Sequence, residues 1–531
     1  MGTKNFSNAN DLITFSRASG GTALRKVAYS PELVTNGTFD TDLTGWPSGG
    51  SDGASASVVG ASARLVGNSY ISQAISGLTA GQLHTMTVDI PETNSQGSVR
   101  IGTAVNVGDL YDSPTQTSAT TLTTTFVPSG TSVFVTLKAE GTIGNTSLYM
   151  DFDNVSVKEV LFDQGDLTLF NHPAGIPRIE YDADGNVLGL LVEESRTNLF
   201  TYSLPTSDGF TVTRASLVTS TVNAPDGNYA KKLVEDSTAA NSHLLSTGAV
   251  GMSLNTTYTM SWFAKAAERD FIAINIYSGT TSYWTWFDLS NGTVGTATNS
   301  PDTFIEYYGD GWYRCGITVT TAASGSPNTA AYIAPSDGTL SYDGDGTSGI
   351  YIWGAQLEAG AFPTSYIPTA GSTATRSADV ASIPVADFGY NQSEGSVVVE
   401  GTQYESSNSI SRFVELYGGG TGSGGYLSLG VYQDSSWIET YNGDVLNLYD
   451  VKVSGERQKM ASGFDSSGNT FCGDGNILGT PSTSSLVNPS SVSLLYVGVH
   501  WAGIQQLNGH IKSIKYFPRK LTNAQLQELT T

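Results

Sequence analysis

A chain of 531 residues exceeds what one hydrophobic core supports, so about two to four domains are expected. With 25 Lys and Arg against 48 Asp and Glu, the net charge of −23 excludes a nucleic-acid partner, because no basic stripe offsets phosphate repulsion. No apolar run of 18 residues occurs, so no membrane insertion is expected, and the polar residues 1–10 predict no secretory signal.

The 60 glycines, the many Ser and Thr and the short alternating apolar runs predict an all-β, multidomain chain of tandem jelly-roll β-sandwiches. Residues 1–30 carry Leu12-Ile-Thr-Phe-Ser-Arg-Ala-Ser19, a strand entering a glycine turn, too short to fold alone and expected to serve as an anchoring segment. Residues 31–160 form the first module. It opens with Leu33-Val-Thr-Asn-Gly-Thr-Phe39 and Gly45-Trp46 and closes with Tyr149-Met-Asp-Phe-Asp-Asn-Val-Ser-Val157. Those ends resemble the family 4/9 type of carbohydrate-binding module, which implies a β-sandwich with Phe39 and Trp46 in its scaffold.

Residues 161–197 are expected to connect modules through a hairpin. Ile179 and Tyr181 alternate into a turn at Asp184-Gly185, and Val187 to Val192 return. Asp182 and Asp184 read as turn chemistry rather than a calcium loop, since no ladder of further oxygen ligands follows. Thr14-Phe-Ser-Arg-Ala-Ser19 together with Pro177-Arg-Ile-Glu-Tyr-Asp182 and Gly189-Leu-Leu-Val-Glu-Glu-Ser-Arg-Thr-Asn-Leu199 resembles a family of phage structural and tail-fibre proteins. In that family the two pieces lie closer together, so the first module reads as an insertion.

The second module, residues 198–369, also resembles the phage family through Tyr258-Thr-Met-Ser-Trp-Phe-Ala-Lys265, Gly311-Trp-Tyr-Arg314 and Tyr351-Ile-Trp-Gly-Ala-Gln-Leu-Glu358. The resemblance implies a further jelly roll, with Trp262, Trp312 and Trp353 in its packing. Residues 370–385 read as a Ser/Thr/Ala linker, and residues 386–531 as a final sandwich. Its ending, Leu507-Asn-Gly-His-Ile-Lys-Ser-Ile-Lys-Tyr-Phe-Pro-Arg-Lys-Leu521 followed by leucine spacing that suits a short helix, resembles concanavalin-A-like or laminin-G-like lectin domains. Cys315 and Cys472 fall in different modules, so both are expected as small buried residues rather than a disulfide.

No reactive constellation stands out. His84, His172, His243, His500 and His510 have neither metal-ligand spacing nor a Gly-x-Ser-x-Gly partner, and no catalytic residue is assigned. Asp343-Gly-Asp345 reads as a loop that also offers a site for structural calcium; no other cofactor is expected. In Tyr283-Trp-Thr-Trp-Phe-Asp-Leu289, alternation puts Phe287 and Leu289 inward and Trp284, Trp286 and Asp288 on the opposite face. That face suits a glycan platform, a contact between proteins or ordinary packing.

The resemblance implies a phage virion protein made in the host cytoplasm and released by lysis, a tail-fibre or tail-tip adhesin that binds host surface polysaccharide without catalysis. Other virion proteins are its expected partners, and a homotrimer its expected assembly. Two alternatives stay open: a capsid or tail decoration protein whose lectin-like folds only pack, and a polysaccharide depolymerase.

Overall fold

The computed structural model describes residues 13–531 apart from 52, 142–144, 207, 249, 323–324, 326, 405–409, 419–425, 433–434, 441–444, 447–454 and 483–491. Residues 1–12, part of the expected anchoring segment, lie outside that description. The chain is all-β and built of sandwiches, as the alternating runs predict. Among the described residues no helix is long and apolar enough to cross a membrane.

Lys26–Asp166 form one compact unit, inserted into a second made of the chain up to Arg25 and from Leu167 onward. In the inserted unit, Met86, Val88 and Val157 from one sheet meet Ile71, Val99 and Val135 from the other. Phe39 and Trp46 are buried in that core with ring centroids 5.4 Å apart. Its two ends close on each other: Leu33 N donates to Val157 O at 3.0 Å, and Val155 N to Gly37 O at 2.9 Å.

The other unit holds two sandwiches. In the first, the sheet containing Phe271–Tyr277 and Ser282–Asp288 packs on the sheet containing Thr257–Ala266, Trp312–Thr320 and Gly349–Ala359. Ile272, Ile274 and Phe287 interlock there with Met260, Trp262 and Ile352. Trp312 and Trp353 are sheet-packing residues too, buried with Phe263 and Tyr366 in a satellite cluster on the outer face of the second sheet.

The second sandwich draws on more of the chain than residues 386–531. Thr14–Ser16 pairs with Val380–Pro384, with Phe15 opposite Ala381, and this ladder edges one sheet. The hairpin of Arg178–Tyr181 and Val187–Val192 edges the other, Leu190 lying opposite Ile511. Ile13, Leu190 and Val192 therefore share a core with Val397, Phe413 and Leu495. Thr14–Ser16 of the segment read as anchor, the hairpin of the connector and Val380–Pro384 of the linker are thus strands of this sandwich, because each carries apolar residues that one more strand partner buries. Gly189 shows how tightly the hairpin docks. Its φ is +133° and a Cβ there would stand 2.3 Å from Ile511 O, so the motif requires glycine at its first position.

The chain ends on the helix Asn523–Thr530. Thr522 and Gln525 form a reciprocal capping box, and Leu521 and Leu526 cover Val398, Ala461 and Cys472 on the sandwich's outer face. Cys315 and Cys472 are buried free thiols in different sandwiches.

Candidate functional site

The motifs around Arg17, Arg178 and Glu193 converge on a buried ionic cluster. Arg17 Nη1 lies 3.1 Å from Asp379 Oδ1, and Arg178 Nη2 lies 2.5 Å from Asp379 Oδ2. Arg178 Nη1 also reaches Glu193 Oε2 at 2.8 Å, and Arg376 Nη2 donates to Glu194 O at 2.6 Å. Charges this deep persist only when paired and hydrogen-bonded. Burial is felt throughout: it draws the Arg17 guanidinium down to about 10, with Arg178 adding to the effect and Asp379 opposing it. Burial also disfavours the Glu193 carboxylate, yet Arg376 and Arg178 outweigh it and hold the group well below the usual range. The cluster is a joint. It fixes the N-terminal strand, the hairpin and the segment after Arg376 to one another, and Ser365, from the end of the first sandwich, donates to Glu193 at 2.6 and 2.7 Å.

Beside this joint opens a cleft of about 540 Å³. One wall comes from the hairpin, with Glu180 and the Asp182 turn; the opposite wall comes from the edge strand Asp302–Tyr307 and its neighbour Trp312–Thr320. Alternation along the edge strand turns Ile305 to the sandwich core and sends Phe304, Glu306 and Tyr308 outward into the cleft. Glu306 stands opposite Arg314 in the ladder. Tyr404 and Phe362 complete the aromatic lining.

The polar groups have defined supports. Glu180 Oε2 lies 2.7 Å from His510 Nε2, and its Oε1 accepts from Leu24 N at 3.3 Å. Arg314, 2% exposed, donates from Nε to Ser261 Oγ at 3.2 Å and from Nη1 to Thr364 O at 2.7 Å. Its remaining nitrogen is enclosed by protein, and the guanidinium interacts with the Tyr308 hydroxyl. Glu306 is open to the cleft yet ringed by protein, and that burial raises its pKa, Arg314 opposing and Glu180 reinforcing. Burial, then Glu306, likewise raises the Tyr308 hydroxyl.

The aromatic face read from Tyr283 to Leu289 lies elsewhere. Phe287 and Leu289 do point inward, and Trp284 and Trp286 do lie opposite. The turn after Ala334 folds over them: Trp286 is only 4% exposed and its Nε1 donates to Thr339 O at 3.2 Å. Trp284 stacks on it at 5.9 Å and keeps a partly open face. Asp288 accepts from Ser290 N, Asn291 N and Asn291 Nδ2 at 2.8 to 3.0 Å, so its oxygens hold the following turn.

The calcium candidates are similarly engaged. Asp345 accepts from Thr347 N and Ser348 N at 2.7 Å, and Asp343 from Ala240 N at 2.8 Å. Among the described residues no group of three or more His, Cys, Asp or Glu gathers as a metal site. Asp182 accepts from Asp184 N at 3.0 Å and Asn186 N at 2.8 Å, the turn chemistry expected of it.

Sequence reasoning does not find the cleft. Glu180, Tyr181 and Asp182 belong to the hairpin motif, and Arg314 to the motif Gly311-Trp-Tyr-Arg314, but Phe304, Glu306 and Tyr308 carry only the alternation of an ordinary edge strand.

No protein-family profile and no curated protein matches this chain. Among solved structures it is similar to carbohydrate-binding modules and laminin G domains. The CBM40 module of the Ruminococcus gnavus IT-sialidase, bound to alpha2,3 sialyllactose, is 16% identical over 28% of this chain and 86% of its own, with a TM-score of 0.23. The tandem CBM22 domains of Paenibacillus barcinonensis Xyn10C are 11% identical over 64% of this chain and all (100%) of theirs, with a TM-score of 0.21. Domains LG4-5 of the mouse laminin alpha1 chain are 11% identical over 54% of this chain and 88% of theirs, with a TM-score of 0.19. At such TM-scores none of them assigns a role to a residue here.

Proposed function

We propose that this protein is a bacteriophage virion component, a tail fibre or tail-tip adhesin that binds a host surface glycan without catalysis. The observation that carries the glycan reading is the cleft, where Phe304, Tyr308, Phe362 and Tyr404 surround Glu180, Glu306 and Arg314. A saccharide presents apolar C–H faces and a rim of hydroxyls. Rings match the first, and carboxyl and guanidinium groups match the second. The virion reading rests on the motifs around Arg17, Arg178 and Glu193.

A glycan array probed with the purified protein and with Phe304→Ala tests the site. Signals that the variant loses support adhesion; silence across host polysaccharides favours the decoration alternative. The homotrimer belongs to the same proposal, since weak single sites gain from display in several copies. Light scattering should give three chains per particle, and a stable monomer at micromolar concentration overturns it.

A second reading, cleavage of the bound polysaccharide, is favoured by one feature. Glu306, whose pKa burial raises, shares the cleft with a second carboxyl, Glu180, and glycoside hydrolysis works with a pair of carboxyl groups. Release of reducing ends from array-positive polysaccharide decides between binding and cleavage.

A further inference from the structure

His510, the histidine of the ending Leu507 to Leu521, stands behind the cleft rather than in it. In the strand Gly509–Phe517 its neighbour Ile511 turns to the core of the second sandwich, so the imidazole takes the opposite face. Two groups of the cleft lining rest on it there. Its Nε2 lies 2.7 Å from Glu180 Oε2, and the Tyr404 ring meets it edge to face with centroids 5.5 Å apart. The side chain is only 2% exposed, and Nδ1 is buried with no hydrogen-bond partner among the described residues. An imidazole placed for packing alone is a poor choice, because an apolar ring fills the same space without stranding a nitrogen. The one polar contact that the ring does make goes to a carboxylate of the cleft.

Glu180 has need of that contact. Its only other hydrogen bond among the described residues is a long one, accepted by Oε1 from Leu24 N at 3.3 Å. Its side chain keeps 15% of its surface open, and a carboxylate offers about four acceptor sites, so lone pairs remain for a ligand.

We infer that His510 is a positioning residue of the binding site: it fixes the Glu180 carboxylate to accept from an unblocked sugar hydroxyl, and its ring backs Tyr404. This rests on the glycan reading above. It adds the ligand group that is recognised and the residue that aims the acceptor. A carboxylate already held by one oxygen loses little rotamer freedom when the sugar arrives.

The test uses the full chain and those array hits that Phe304→Ala loses, each taken to calorimetry with its singly deoxygenated and O-methylated counterparts. Blocking one particular hydroxyl should weaken wild-type binding roughly tenfold. His510→Phe keeps a ring against Tyr404 but has no donor for Glu180. It should weaken the parent sugar roughly tenfold and flatten the preference over the blocked one. Glu180→Ala should do the same, the double variant should bind no more weakly than Glu180→Ala alone, and His510→Gln, which carries a donor, should recover part of the loss. A purely structural role would lower the melting temperature and weaken every sugar alike with the preference kept, and that result overturns the inference. So does a folded His510→Phe that binds as the wild type does, or losses that multiply in the double variant. If His510→Phe does not fold, Glu180→Ala carries the test: a lost hydroxyl preference with His510→Gln retaining it supports the inference, and any other pattern overturns it. All these results leave the glycan reading standing, whereas an array with no hit that Phe304→Ala loses removes that reading and the inference with it.

Discussion

Arg178 and Asp379, 201 positions apart, form a fully buried ion pair with Nη2 2.5 Å from Oδ2. The same carboxylate takes Arg17 on its other oxygen and the amide of Glu193 at 2.9 Å. One aspartate thus satisfies groups from the N-terminal strand and from both ends of the hairpin.

Removing that carboxylate strands two buried guanidinium groups. Asp379→Ala should cost about 3–5 kcal/mol in the unit that contains it. The inserted unit has its own core, so in chemical denaturation its transition should stay where it was while the other moves. A common shift of both transitions would contradict the independence of the two cores.

His172 sets the first acid-sensitive window. Burial, reinforced by Arg25, Arg178 and Arg17, holds its pKa well below the ordinary 6.5. The unfolded chain then binds a proton that the folded chain refuses, so stability is complete above 6.5 and falls as the pH drops below it. Glu193 acts later, with the opposite charge type. Its stabilisation is present above the unfolded value of 4.5 and is lost as the pH falls through its depressed folded value. His172→Gln should flatten the dependence of the melting temperature on pH between 6.5 and 4.5, and an unchanged slope would show that the window belongs to other groups.

Trp286 should behave as a core residue. Trp286→Ala opens a cavity under the turn that carries Thr339, and should cost about 3–5 kcal/mol. Trp284→Ala, at a partly open ring, should destabilise less and leave glycan affinity unchanged. Loss of affinity in Trp284→Ala with a preserved melting temperature would return the binding face to that strand.

Calcium should not be a structural requirement. Asp343 and Asp345 already accept hydrogen bonds from Ala240, Thr347 and Ser348, so chelator should leave the melting temperature unchanged. A fall on adding chelator, reversed by calcium, would contradict this.

What the sequence reveals follows from how local each signal is. Alternating runs, the Asp182 turn and the leucine spacing of the closing helix each act within a few residues, and all three are legible in the chain itself. Insertion of the first module is legible too, because the motif pieces around Arg17 and Arg178 are separated by it. The joint is not. Arg17 meets Asp379 across 362 positions, and no periodicity announces a partner at that range. The hairpin and the segment after Arg376 read as connectors because each is a single strand or strand pair, whose apolar face makes sense only against a sandwich assembled from elsewhere. Trp284 and Trp286 lie on the face that alternation assigns; only the distant turn at Thr339 decides that the face is covered.

The central claim is that the cleft between the hairpin and the Asp302–Tyr307 edge strand holds a sugar. A crystal structure of the protein soaked with its tightest array ligand tests it most directly. The account predicts a saccharide ring against Phe304 and Tyr308. A ligand ordered on the Trp284 face, or in the inserted unit of Lys26–Asp166, with the cleft holding only water, would contradict it.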